Sequence, residues 1–145
     1  MAYLNLEHSL TAVAMNLKRN TFNKQERLKK KRIIGSVYQH GNKLFDYPIL
    51  LRWVIDPLPT KYPVQLLVGV SRRYFKKAVE RNRIKRLIRE AYRKNKHIIY
   101  PALETNGEQM AIAINYTGKK MPRYQDIENK IIILLQRLAR QYEKV

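Results

Sequence analysis

The chain has no cysteine among its 145 residues. That excludes a disulfide-stapled scaffold, a thiolate nucleophile and a Cys-ligated zinc site, and it suits a soluble domain in a reducing compartment. Long apolar runs are also missing. The longest reach five residues, as at 131–135, against the roughly 20 needed to span a bilayer, so an integral membrane protein is excluded. Acids are scarce, with 11 Asp and Glu against 30 Lys and Arg, and there are three His. Asp46, Asp56, Glu80 and Glu90 are dispersed, and His8, His40 and His97 share no motif. Neither the clustered carboxylates of a metal-dependent nuclease nor a His-based acid–base pair is legible, so no catalytic residue and no metal ligand is assigned. The first 20 residues place Glu7 and His8 early and Lys18 and Arg19 late. This inverts the order of a secretory signal, and no export is implied.

What is abundant is positive charge, +19 formally, and its distribution says more than its total. Residues 18–43 hold nine Lys/Arg against one acid and residues 72–96 hold twelve against two, so these two segments carry +18 of the +19. The remainder is a near-neutral scaffold. Ordinary surfaces intersperse both signs, and like-charge crowding costs stability, so two concentrated basic segments point to a polyanionic partner, nucleic acid before membrane surface. With 45% of residues hydrophobic, a domain of this length buries roughly 70% of its unfolded surface and holds a real core.

Residues 1–21 show no sustained period and are read as an N-terminal extension; residues 22–145 form one domain. Asn23 and Glu26 offer a capping box, which predicts a helix over about 24–39 with Leu28, Ile34, Val37 and Tyr38 on one side and Gly41 as its stop. PILLRWVI at 48–55 and PVQLLVGV at 63–70 read as adjacent antiparallel strands joined by a proline-containing turn. QMAIAIN at 109–115 reads as a further strand, with Met110, Ile112 and Ile114 facing away from Ala111 and Ala113. An additional strand is placed near 43–47. Residues 125–142 carry Ile127, Ile131, Leu134, Leu135, Leu138 and Tyr142 at helical spacing. The order predicts a two-layer α/β domain, a mostly antiparallel sheet packed against helices.

Residues 79–95, VERNRIKRLIREAYRKN, place Ile84, Leu87, Ile88, Ala91 and Tyr92 on one helical arc. Asn82, Lys85, Arg86, Arg89 and Arg93 fall opposite, with Arg83 at the edge and Arg81 at the start. Arginine forks grip phosphate oxygens bidentately and stack on bases, which a merely solubilising face does not require. Here the chain resembles the protein component of bacterial ribonuclease P. The resemblance rests on Ala78, Val79 and the run from Arg81 to Glu90, which looks like that family's arginine-asparagine-arginine motif and following helix. It extends to Gly69, Val70 and Ser71, and to Arg27, Leu28, Lys29, Lys30, Val37, Tyr38 and Gly41, so it spans roughly 22–142.

The resemblance implies an α+β fold like the second domain of ribosomal protein S5, with a left-handed βαβ crossover. It implies the protein subunit of a cytoplasmic endoribonuclease whose catalytic RNA, with bound Mg2+, removes the 5′ leader of precursor tRNA, the protein alone being non-catalytic. Carried over by residue, Arg81, Asn82, Arg83, Lys85, Arg86 and Arg89 would meet the catalytic RNA or lie close to it, and Arg93 is added to them from the outward arc of the helix. A cleft beside the first helix would take the single-stranded leader, with Tyr38, Arg72 and Arg73 at it, together with Arg27, Lys30 and Lys31 and, as an addition from the strand pattern, Trp53. No membrane and no obligatory protein partner is implied. Two departures stand out. Ile34 replaces an aromatic, removing a stacking surface worth roughly 1–3 kcal/mol, and Tyr74-Phe75 replaces a small, glycine-containing connection. The alternative is a non-enzymatic ribosomal or ribosome-associated RNA-binding protein using the same helix. A DNA-reading regulator lacks the short partner helix that a helix-turn-helix requires.

Overall fold

The computed structural model describes residues 22–143, so the expectation for residues 1–21 lies outside the described residues. In chain order come a 3-10 turn (Lys24–Glu26), α1 (Lys31–His40), β1 (Asn42–Asp46), β2 (Ile49–Ile55), β3 (Val64–Val70), α2 (Ala78–Asn95), a 3-10 turn (Lys96–Ile98), α3 (Tyr100–Asn106), β4 (Met110–Tyr116) and α4 (Tyr124–Tyr142). The sheet order is β1-β2-β4-β3. The β1–β2 and β2–β4 pairs are antiparallel, and β3–β4 is parallel.

The expected β2–β3 hairpin is therefore wrong: β4 lies between them. β4 is the strand most completely buried on both faces, and such a strand belongs at the centre of a sheet. Gln109 fastens the linker around its start. Its Oε1 accepts from the Leu58 amide (2.8 Å), and its Nε2 donates to the carbonyls of Thr60 (2.7 Å) and Tyr62 (2.9 Å). The parallel β3–β4 pair needs a crossover, supplied by α2 and α3.

The helix expected over 24–39 is split. The Asn23–Glu26 capping box is present, but it closes only the 3-10 turn, and Arg27 leaves in extended conformation. Arg27 then bridges Leu66 in parallel, and the Leu28 amide donates to the Leu66 carbonyl (2.9 Å). The segment thus covers the otherwise open β3 edge. Its anchor is Glu26, a buried carboxylate that accepts from Lys96 Nζ and from the Tyr100 hydroxyl (2.6 Å).

Strand alternation sorts the core. Ile49, Leu51 and Trp53 of β2, Val64, Leu66 and Val68 of β3, and Met110, Ile112 and Ile114 of β4 face the layer containing α2, α3 and α4. On the other face, Ala111 and Ala113 meet Leu28, Leu58 and, from α1, Ile33 and Val37, with Val54 and Leu67 beside them. At ten residues α1 is about 15 Å long, and it ends at Gly41, where a Cβ would lie 2.1 Å from the Val37 carbonyl oxygen. One end of this face, around Leu50, Arg52, Gly69 and Asn115, stays uncovered by it.

Candidate nucleic-acid interface

Two cationic surfaces emerge, one on each side of the sheet. The first is α2. Ile84, Ile88, Ala91 and Tyr92 are buried as expected, whereas Leu87, expected with them, is only half-buried. Outward, Asn82, Arg86, Arg89 and Arg93 line a groove with Glu90, and its other wall is Phe22 and Arg27. Arg27, expected at the leader cleft, is thus brought to the arginine helix instead. Its guanidinium lies 5.7 Å from the Phe22 ring centroid, and Phe22 stands edge-on to Tyr92 at 6.0 Å. Burial, and then the nearby Arg27 charge, hold the Arg89 pKa below the usual guanidinium value. Two cations crowded beside one another in a concave surface favour an anionic occupant.

Arg81 and Arg93 are partly committed within the protein. Arg81 Nη1 donates to the carbonyls of Phe75 (2.8 Å) and Lys76 (2.9 Å), tying down the loop that enters α2. Arg93 donates to both oxygens of Glu90 (3.0 and 2.6 Å), a contact that lowers the Glu90 pKa. The Tyr74-Phe75 departure divides its two rings. Phe75 is buried against Tyr116 at 5.9 Å, while Tyr74 is exposed between Arg73 and Lys119, each 5.5 Å from its ring centroid.

The second surface is the uncovered end of the sheet, a cleft lined by Leu50, Arg52, Gly69, Arg73, Tyr74 and Asn115, among others. Tyr38, half-exposed on α1, borders it: its hydroxyl donates to Asn115 Oδ1 (3.2 Å), which also accepts from Arg52 Nη1 (3.4 Å). The Arg52 guanidinium carbon lies 5.0 Å from the Tyr38 ring centroid. Arg72 is exposed beside Arg73, and Lys30 and Lys31 are exposed at the start of α1, outside the cleft lining. Trp53 must be corrected. It is only 2% exposed, on the opposite sheet face, with its indole N–H donating to the Tyr142 hydroxyl (2.8 Å). Strand alternation turns it into the core and turns its neighbour Arg52 into the cleft. Arg52 and Asn115 were missed. The available signal was a lone arginine inside the apolar run PILLRWVI.

Among the described residues no three His, Cys, Asp or Glu side chains come together as a metal site.

A mixed α/β domain bearing two separate basic surfaces, each with an aromatic beside its cations, has the surface chemistry of a nucleic-acid-binding protein. The family model described as Ribonuclease P matches residues 22–139, and the chain belongs to the ribonuclease P protein family. It is 32% identical over 116 residues to the ribonuclease P protein component of Porphyromonas gingivalis strain ATCC 33277, covering 80% of this chain and 85% of that one. It is also 32% identical over 126 residues to that of Petrotoga mobilis, covering 81% and 95%. The solved RNase P protein of Staphylococcus aureus shares the fold with a TM-score of 0.62 at 21% identity, over 83% of this chain and all of the other. That of Thermotoga maritima gives 0.61 at 24%, over 77% and 96%. The chain is thus the protein subunit of a tRNA-processing endoribonuclease and acts with the RNase P RNA. The ribosome-associated alternative is not favoured. No helix among the described residues is long and apolar enough to cross a membrane.

Proposed function

We propose that the two surfaces divide the work of the holoenzyme. The α2 surface seats the catalytic RNA by its phosphates, with Asn82, Arg86 and Arg89 in the groove that Arg27 faces and with Arg83 and Lys85 on the same helix outside that groove. The cleft beside α1, through Tyr38, Arg52, Arg73 and Tyr74 with Arg72 at its rim, takes the single-stranded 5′ leader of precursor tRNA in the cytoplasm. Mg2+ is held by the RNA and supplies the chemistry of phosphodiester hydrolysis there. The observation that carries this reading is the uncovered end of the sheet, cationic and aromatic, on the face opposite the arginine helix. An aromatic and arginine surface suits unpaired nucleotides, and a phosphate-gripping ladder suits folded RNA.

The test is reconstitution with the cognate RNA. Protein alone is expected to leave precursor intact, and RNA plus protein at low Mg2+ is expected to cleave it faster than RNA alone. The holoenzyme should bind precursor more tightly than mature tRNA, and a Tyr38→Ala/Arg73→Ala variant should lose that difference while still assembling. Equal affinity for precursor and mature tRNA would overturn the leader assignment.

A further inference from the structure

We propose that the protein self-associates through the free edge of β1, two copies pairing this strand antiparallel about a two-fold axis at Leu44. Among the described residues the β1 edge is open, whereas the β3 edge is covered by the segment at Arg27 and Leu28. Asp46 closes a two-residue turn on Ile49, so Asp46, Leu44 and Asn42 exchange hydrogen bonds with β2. The amides and carbonyls of Lys43 and Phe45 therefore point outward, and no backbone group among the described residues pairs with them. Phe45 is 52% and Tyr47 58% exposed, the two rings standing edge-on at 6.4 Å. Both are more exposed than Tyr38 and Tyr74 and lie outside the cleft lining, so the cleft does not account for them.

A second copy complements this edge. With Leu44 on the axis, Lys43 lies opposite the partner's Phe45 and exchanges backbone hydrogen bonds with it, and the symmetric pair does the same. Opposite residues share a face, so each ammonium also meets the ring of the other copy. The helical layer adds charge complementarity. Lys130 of α4 holds Asp46 (3.0 Å), and Trp53, paired with Asn42, reaches Tyr142 (2.8 Å), so α4 runs along β1 from its Asp46 end to its Asn42 end. Arg137 is exposed and lies two turns beyond Lys130 on the same side of the helix, toward the Asn42 end. The axis therefore brings the partner's Arg137 toward Asp46, which then stands between cations of both copies. Ile133, 41% exposed, lies between Lys130 and Arg137 and turns toward the partner's Ile133. An RNA strand offers no ladder of amides and carbonyls to such an edge; a second strand does. The +19 charge of each copy opposes the contact, and a five-residue edge is small beside a standard interface of about 800 Å² per partner. The association is therefore weak, and salt strengthens it by screening the repulsion.

The experiment is sedimentation equilibrium of the full chain over a range of concentration and salt. The expected result is a monomer–dimer equilibrium whose dimer fraction rises with salt, the reverse of the salt dependence of RNA binding. Lys43→Pro removes an outward amide from each copy, at a position where an edge strand tolerates proline, and should weaken the dimer by about 5- to 150-fold for the pair of lost hydrogen bonds. Phe45→Lys sets ammonium groups opposite one another and should weaken it without touching the backbone. The register is read separately. The chain has no cysteine, so Leu44→Cys supplies its sole thiol, and across the axis the two α-carbons stand about 4.5 Å apart, within disulfide range. Oxidation should link that variant into dimers much faster than Val79→Cys, a control at a position 78% exposed on α2. A protein that stays monomeric at every salt, or a dimer unaffected by Lys43→Pro, overturns the proposal. So does a Leu44→Cys variant that links no faster than the control. Loss of precursor affinity in Phe45→Ala with the association state unchanged assigns the ring to RNA, and also overturns it.

Discussion

Replacing Glu26 by Ala removes the carboxylate that holds the segment before α1 to the end of α2. Glu26 and Lys96 are each 1% exposed, and the same carboxylate accepts from the Tyr100 hydroxyl (2.6 Å) and the Asn23 amide (3.0 Å). Removing one partner of a buried ion pair costs about 3–5 kcal/mol, because the remaining charge is left uncompensated in a dry site. At about 4 °C per kcal/mol for a domain of this size, the melting temperature should fall by about 12–20 °C. Urea denaturation followed by circular dichroism measures the free energy directly. Glu26→Leu/Lys96→Met, which removes both charges, should recover most of the loss. The functional consequence is separate. Arg27 follows Glu26 directly, so at temperatures where the variant remains folded its affinity for the catalytic RNA should still fall. A Glu26→Ala variant within about 1 kcal/mol of wild type would refute the reasoning, since a buried, hydrogen-bonded pair cannot be broken that cheaply.

Arg86→Ala and Arg89→Ala should each weaken association with the catalytic RNA and lower the slope of log affinity against log salt by up to about one unit for each phosphate left without its arginine; unchanged slopes would place them off the interface. Leu87→Ala should cost about 1–2 kcal/mol in urea denaturation, less than the roughly 2–5 of a fully buried leucine. Gly35→Ala should raise stability by up to about 1 kcal/mol, since an added Cβ meets nothing within 4 Å and glycine is a poor interior helix residue. Trp53→Phe should lower the melting temperature by removing the hydrogen bond to Tyr142, about 0.5–1.5 kcal/mol, and leave the precursor-over-mature affinity ratio unchanged.

Element types were legible wherever a period ran unbroken. The 110/112/114 alternation settled the two faces of β4, and the apolar arc of residues 84–92 settled which side of α2 turns outward. Order and pairing were not legible. The β2–β3 error arose because adjacency in sequence stood in for adjacency in space, and the Gln109 side chain that holds the linker across β4 gives no periodic signal. The split first helix has a similar cause. A capping box marks a helical start and not a length, and Glu26 answers to Lys96 and Tyr100, 70 and 74 residues away. The Trp53 error is one of strand phase. One residue along a strand exchanges core for surface, so Trp53 was given to the cleft that its neighbour Arg52 lines.

The concentrated charge follows from the same geometry. Arg27 is held beside Arg89 by the buried Glu26 carboxylate on one side and by the backbone bridge to Leu66 on the other, and the folded protein therefore holds together cations that the unfolded chain would spread apart. Partial burial, and then the Arg27 charge, lower the Arg89 pKa, so the site disfavours the charged form. The guanidinium remains protonated at neutral pH all the same, so that cost persists in the folded free protein. An RNA phosphate in the groove relieves it, and because the relief exists only when the segment is docked, RNA binding must stabilise the docked fold by linkage. The basic segments, costly to the isolated domain, are thus the means by which the partner RNA stabilises the arrangement that binds it.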